Sequence, residues 1–282
     1  MPQPVLHILS LIQTPALAEA CVQSLRGGRY QLVSLDPAAA PLEQLEQHRD
    51  DVDGILLEED AVDGGLFRNL HDLGLELPAV LIGPISGEVQ FHHAEVRLPP
   101  DQVEQLSYSL DAAVSRFLRS TSQPAVADAA AASTDGWKLS NRLKGRLGYL
   151  GVYYKRDPAR FLRNLETQER MELLGSLQRT YRDLLISYFK NPAAANQAIE
   201  SFVNTAFFAD LPIIKMVEIH MNLIEEFRKQ LLLKGQKDDF LQDYRLALID
   251  IMAHLCEMYR RSVPPDLPIL PESGIESPSH SA

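Results

Sequence analysis

Val5-Leu6-His7-Ile8-Leu9-Ser10-Leu11-Ile12, followed by Gln13 and Thr14-Pro15, decides the architecture of the first part of the chain. A nearly unbroken apolar run of this length suits a strand buried on both faces, as central strands of parallel sheets are. Thr14 offers an N-cap and Pro15 the first helical position, so a helix is predicted to about Arg26, where Gly27-Gly28 stops it. The alternation then repeats, with strands predicted at 30–35, 52–57, 78–83 and 94–98 and helices near 41–48 and 65–73. Residues 102–119 close the unit as an amphipathic helix with Val103, Leu106, Leu110, Val114 and Phe117 on one face. Between the last two strands, Pro84, Gly87 and a weak apolar pattern argue against a crossover helix. The order predicts an α/β body built on a doubly wound parallel sheet.

After residue 120 the character changes. Residues 120–136 carry a short alanine run among Ser, Thr, Pro124 and Gly136, the composition of a linker in which part can turn helical. From Trp137 the periodicity is helical throughout. Helices are predicted at 138–154, 158–165, 169–189, 196–208, 213–233 and 238–261, with Asn191-Pro192 as a break, Asp210 as a cap and Gly235 as a stop. Four long helices with short connections predict an all-α, four-helix bundle. The chain therefore divides into a sheet-bearing body (1–122), a linker and leading helix (123–147), a helical body (148–262) and a proline- and serine-rich tail (263–282) with the composition of disorder.

Charge follows the same division. Residues 1–122 hold 7 basic and 18 acidic side chains and no lysine, whereas residues 137–262 hold 20 and 15. That asymmetry suggests two independent bodies with different partners, and attraction between them. The surplus of five is too thin for nucleic-acid binding, which needs a dense basic stripe. The longest apolar runs fall short of a membrane span, and no secretory signal opens the sequence. Cys21 and Cys256, far apart and without metal spacing, fit a reduced, cytoplasmic setting.

The strand order of the first body resembles the receiver domain of two-component signalling. Receivers need an acidic pair after strand one, a phospho-accepting Asp ending strand three and a Lys after strand five, which together hold Mg²⁺ and clamp the phosphoryl group. Here strand one ends in Ser10-Leu11-Ile12, strand three ends in Glu58, and Arg97-Leu98-Pro99-Pro100 supplies no lysine. Glu58 stands at a degenerate phosphoacceptor position without the groups that stabilise phosphoryl transfer. The body reads as a pseudo-receiver, used for binding. Glu58, Glu59 and Asp60 on one side and His92-His93 on another are metal candidates only in the weak sense of adjacent ligand types, and no metal is expected.

The last predicted helix carries the sharpest local pattern. Spacings of three and four pick out Asp243, Ala247, Asp250, His254, Glu257 and Arg261, a thin polar stripe on a helix otherwise rich in Leu, Ile, Met and Tyr. A helix apolar around most of its circumference packs deeply, so the stripe is expected to line a groove or a subunit seam. The plainer alternative is a solvated face with i, i+4 pairs, each worth only roughly 0.3–0.5 kcal/mol. Metal binding or acid–base work by Asp250, His254 and Glu257 lacks a second close histidine or an H-E-x-x-H motif. No catalytic residue is assigned. His220, Phe207-Phe208 and Cys256 read as packed core groups, and the basic pair Lys155-Arg156 as solvated or facing the acidic body.

Five strings in the second half then carry a resemblance: Arg146-Leu-Gly-Tyr-Leu-Gly-Val-Tyr-Tyr-Lys-Arg-Asp-Pro158, Arg160-Phe-Leu-Arg-Asn-Leu165, Phe202-Val-Asn-Thr-Ala-Phe-Phe-Ala-Asp210, Val217-Glu-Ile-His-Met221 and Asp250-Ile-Met-Ala-His-Leu-Cys-Glu-Met-Tyr-Arg-Arg261. They resemble the KaiA family of cyanobacterial circadian-clock proteins, closely over 146–262 and more loosely over 1–122, where architecture and missing phosphorylation residues match. The resemblance implies a non-enzymatic homodimer joined through the helical domain. It further implies capture of the C-terminal segment of KaiC, stimulation of KaiC autophosphorylation, and antagonism by KaiB bound to KaiC. No cofactor is required, and oxidised quinone is a ligand the family implies without assigned contacts. By position, Asp250 and His254 match residues on the family's concave dimer face, whereas Glu257, Asp243 and Ala247 are added on helical spacing alone. A shorter linker and the proline-rich tail depart from the family pattern. The rival reading is a response-regulator-like output protein that binds another kinase or phosphatase.

Overall fold

A computed structural model describes residues 5–35, 48, 50–59, 76–120, 134–147 and 156–263. The strands are β1 (Leu6–Leu11), β2 (Tyr30–Ser34), β3 (Gly54–Glu58), β4 (Ala79–Ile82) and β5 (Val96–Leu98). All neighbouring pairs are parallel, in the order β2-β1-β3-β4-β5. β4 is buried at every position and β1 at all but His7, as unbroken apolar strands require. Helix α1 (Pro15–Ser24) follows β1 with Pro15 in its first turn. The predicted helices near 41–48 and 65–73 lie largely outside the described residues, as do the alanine-rich linker and the tail beyond 263.

The segment predicted as one helix over 102–119 is a 3₁₀ turn (Pro100–Gln105) that runs into helix α2 (Leu106–Ser120). Its apolar face is buried as expected, but so are Ser107, Ser109, Asp111 and Ser115 on the other faces. The reason is a second covering layer. The remaining helices are α3 (Thr134–Leu147), α4 (Thr167–Ser187), α5 (Pro192–Phe208), α6 (Ile213–Leu233) and α7 (Arg245–Ser262), and α5 packs on both α2 and β5. No helix occupies residues 83–95 between β4 and β5. Instead Gly87, at φ +84°, presses this loop onto the start of α5, where a Cβ would lie 2.6 Å from Ala193. Its N–H donates to Gln197 Oε1 at 3.0 Å.

Where composition suggests two independent bodies, the buried apolar residues of both parts form one continuous cluster. Several polar groups at the contact satisfy one another. Gln105 Nε2 donates to Ser176 and Thr180 hydroxyls, each at 2.8 Å, and Gln102 Oε1 accepts from Thr180 at 2.6 Å. Buried Asp53 pairs with Arg142 and Arg146 of α3, one helical turn apart, and accepts from the His7 N–H. Attraction between the oppositely charged parts thus takes the form of specific ion pairs and hydrogen bonds.

Several local expectations change. Asn191 is both break and start: its side chain caps α5 by accepting from Ala194 N, with Pro192 in the first turn. Residues 158–165 form two 3₁₀ turns, Pro158–Arg160 and Leu162–Asn164, in place of a helix. Asp210 is not the cap of α6. It sits at φ +52° and its carboxylate binds Arg156 and Arg163, at 2.8 and 2.7 Å. Arg156 in turn stacks over Phe161, Phe207 and Tyr259, which makes it an internal tie; Lys155 lies outside the described residues. Among the described residues no helix is long and apolar enough to cross a membrane.

Candidate partner-binding face

The predicted last helix of 238–261 is shorter than its periodicity implies. A 3₁₀ turn, Asp239–Tyr244, precedes α7, so Asp243 is exposed but stands off the helical stripe. Ala247 is wholly buried and lines up with Ile251 and Leu255, at four-residue spacing, against α5. It belongs to the packed side of α7. The helix is not packed around its circumference either, because Leu246 and Ile249 are about half exposed and Cys256 is exposed.

Asp250, His254 and Glu257 remain as a surface row on α7. The His254 Nδ1–H donates to the Asp250 carbonyl at 2.9 Å and lies 3.3 Å from Asp250 Oδ1, which leaves Nε2 as an acceptor. Tyr188, the residue just after α4, donates its hydroxyl to Asp250 Oδ2 at 3.3 Å, and burial, with Asp250 beside it, raises the Tyr188 pKa. Glu257 accepts from Arg260 and Arg261, whose guanidinium groups hold its carboxyl down at about 2. His254 and Glu257 border a cavity of about 140 Å³ against Arg116 of α2 and Asn204 of α5. The row thus offers an imidazole acceptor and two carboxylates beside a cleft, a pattern suited to hydrogen bonding another polypeptide.

At the other end of the molecule Glu58 is fully engaged. It accepts from the N–H groups of Gln13 and Thr14, at 2.7 and 2.9 Å, and from the Thr14 hydroxyl at 2.5 Å. Partial burial works against these bonds, yet they hold its pKa below the usual value. The carboxylate closes the β1–α1 turn, and Thr14 spends its hydroxyl there and makes no side-chain cap. Glu59 pairs with Arg97, and His92 uses both ring nitrogens, one on Leu77 O at 2.7 Å and one on Ala94 N at 3.0 Å. Asp60 lies outside the described residues. Among the described residues no group of three or more His, Cys, Asp or Glu side chains is placed to hold a metal. His220 is buried against the Tyr181 hydroxyl at 3.0 Å, and Phe207 and Phe208 are core. Sequence reasoning missed Arg97, Asp53 and Tyr188. The available signal was a charged residue inside a short apolar strand for Arg97 and just before one for Asp53.

Residues 6–121 match the family model for the circadian clock protein KaiA N-terminal domain, and residues 145–266 match that for the KaiA C-terminal domain. The chain belongs to the KaiA family. A circadian clock oscillator protein KaiA from Parasynechococcus marenigrum (strain WH8102) is 53% identical over 99% of this chain and 95% of its own. The KaiA of Synechococcus elongatus (strain ATCC 33912 / PCC 7942 / FACHB-805) is 42% identical over 90% of this chain and 95% of its own. The crystal structure of the C-terminal domain of Thermosynechococcus elongatus BP-1 KaiA is 46% identical, covers 38% of this chain and all of its own, and superposes with a TM-score of 0.33. Both full-length relatives are named circadian clock oscillator proteins, and an α/β part followed by a mostly helical part is the architecture in which this KaiA family member places its α7 row.

Proposed function

We propose that this KaiA family member is a non-enzymatic regulator that captures the C-terminal segment of KaiC and thereby stimulates KaiC autophosphorylation, with KaiB bound to KaiC as the antagonist. The observation that carries the reading is the surface row of Asp250, His254 and Glu257, with His254 and Glu257 beside a cleft and the row held in place by Tyr188, Arg260 and Arg261. Residues 1–122 serve as a pseudo-receiver and 148–262 as a four-helix, dimer-forming domain. Exposed apolar side chains on α7 (Leu246, Ile249) and on α6 (Ile213, Ile214, Met221) favour a second copy as their cover.

Capture acts by population shift. The segment-out state of KaiC gains only the differential affinity of this protein for it, and moving a 1:99 balance to 99:1 takes about 5.5 kcal/mol. Substituting His254→Ala in the full chain is expected to keep the dimer and to weaken KaiC phosphorylation at least severalfold. Unchanged stimulation at equal dimer content would remove His254 from the role. Oxidised quinone, proposed as a ligand without assigned residues, is tested by quenching of Trp137 fluorescence on titration, with no response counting against it.

A further inference from the structure

His254 is held by a chain of contacts that crosses from one helix to another. Its Nδ1 lies 2.9 Å from the Asp250 carbonyl oxygen and 3.3 Å from Asp250 Oδ1. Both are acceptors, so Nδ1 carries the ring proton whenever the imidazole is neutral. A neutral imidazole free in water favours the opposite form, Nε2–H. The second oxygen of the same carboxylate accepts from the Tyr188 hydroxyl at 3.3 Å. Tyr188 is fixed in turn: its ring meets Phe189 edge to face at 4.9 Å, and Phe189 meets Tyr244, just before α7, at 5.2 Å. The end of α4 is thereby clamped to the start of α7. Burial, together with Asp250, raises the Tyr188 pKa and keeps its hydroxyl a donor.

The carboxylates of the row are already engaged. Asp250 turns one oxygen to His254 and the other to Tyr188, and Glu257 receives three N–H groups from Arg260 and Arg261. His254, at 49% exposure, keeps Nε2 as an acceptor with no partner among the described residues. The adjoining cavity is lined by Arg116, Arg119 and Arg261 against Glu200 and Glu257, with Val203 and Met258 as its apolar part. Three cations against two anions disfavour a lysine or arginine there, and an acceptor at Nε2 refuses a carboxylate. An uncharged N–H meets both conditions, and an extended peptide carries one on every residue but proline.

We propose that Tyr188 is a positioning residue which, through Asp250, holds His254 in the Nδ1–H form, so that the row selects a peptide segment by an uncharged N–H donated to His254 Nε2. The inference rests on the reading of this row as a polypeptide-binding face and adds what the bound segment must offer. It also ties capture to pH. Protonation turns Nε2 from acceptor to donor and adds a positive charge beside Arg116 and Arg119 of α2 and Arg260 and Arg261 of α7. Asp250 and Glu257 on the same helix and Glu200 on α5 offset that charge in part. Loss of the hydrogen bond sets the sign: binding weakens as the ring charges.

The test begins without a partner. Nitrogen NMR spectra of the full chain, with the His254 signals assigned by their loss in His254→Gln, should show the Nδ1–H form predominating while the ring is neutral. Tyr188→Phe, which removes only the hydroxyl, and Asp250→Ala should each raise the Nε2–H fraction. A wild-type ring in the Nε2–H form, or a ratio unchanged in both variants, overturns the positioning role. A merely structural Tyr188 would lower the melting midpoint and leave the ratio alone. Binding of a synthetic KaiC C-terminal peptide should weaken about threefold in Tyr188→Phe, the scale of one uncharged hydrogen bond. It should also weaken as pH falls from about 8 to about 5, the range in which imidazole charges, and His254→Gln should lose that slope. Binding that strengthens on acidification overturns the donor assignment. A peptide that does not bind at all removes KaiC and the donor assignment with it, while the tautomer ratio still decides the role of Tyr188.

Discussion

Thr205 donates its hydroxyl to Gln105 Oε1 at 2.7 Å, so a residue from the last turn of α5 and one from the turn before α2 are bonded in an environment closed to water. With Ser176 and Thr180 on the amide nitrogen, every hydrogen-bonding atom of the Gln105 amide group is in use on the helical side. Replacing Gln105 with Leu strands the Ser176 and Thr205 hydroxyls, while Thr180 keeps its bond to Gln102. We expect a loss of about 1–3 kcal/mol in global stability, read from the urea midpoint, with the change concentrated in the contact between the two parts. A shift below a few tenths of a kcal/mol would mean that water replaces the amide.

Asp53→Asn tests the tether of α3. The carboxylate is buried while Arg142 and Arg146 are a quarter to a third exposed, so the charge is screened on one side only. Breaking a buried pair costs about 3–5 kcal/mol, and this partly wetted one belongs at or below the low end. Amide hydrogen exchange should show α3 losing protection before β1 and β3 do. Uniform loss across the sheet would instead make Asp53 a core determinant.

Glu58→Gln probes the turn between β1 and α1. The substitution keeps shape but removes the charge that three donors share, at an expected cost of about 1 kcal/mol at pH 7. Since the folded pKa lies below the ordinary value, the stabilisation is present above that ordinary value and is lost as pH falls through the folded one. Wild type and variant should therefore converge as the pH is taken below the folded value. A gap that persists there would point to geometry, not charge.

His220 sets an acid limit of another kind. Burial lowers its pKa, so the unfolded chain binds a proton that the folded chain refuses. Stability should then fall as pH drops below about 6.5 and level off beneath the folded value. His92 shifts in the same direction, through burial opposed by the Leu77 carbonyl, so His220→Gln should reduce the slope between pH 7 and 5 and not erase it. An identical slope would exonerate His220.

The strands were legible because their burial on both faces writes itself as unbroken apolar runs, and β1 and β4 differ from expectation only at their ends. The apolar row of α2 was legible for the same reason. Its polar row was not: Asp111 is interior because it meets Arg29 and Tyr30, and Ser107 because Arg160 of the second half reaches it. On α7 the pattern of threes and fours found Asp250, His254 and Glu257. It failed at Ala247, whose small size fits either face, and at Asp243, because nothing in the local pattern marks where a 3₁₀ turn becomes an α-helix.

α2 has no outside. One flank seals the sheet and the other is roofed by α5, so cutting the chain anywhere between residues 121 and 133 would leave each fragment with a raw surface designed for the other. The amino-terminal piece would bare Gln102, Gln105 and Ser107, and the carboxy-terminal piece would bare Ser176, Thr180 and Thr205. Fragments of this chain are therefore different materials from the whole, and an activity measured on one of them speaks for a molecule whose largest seam has been opened.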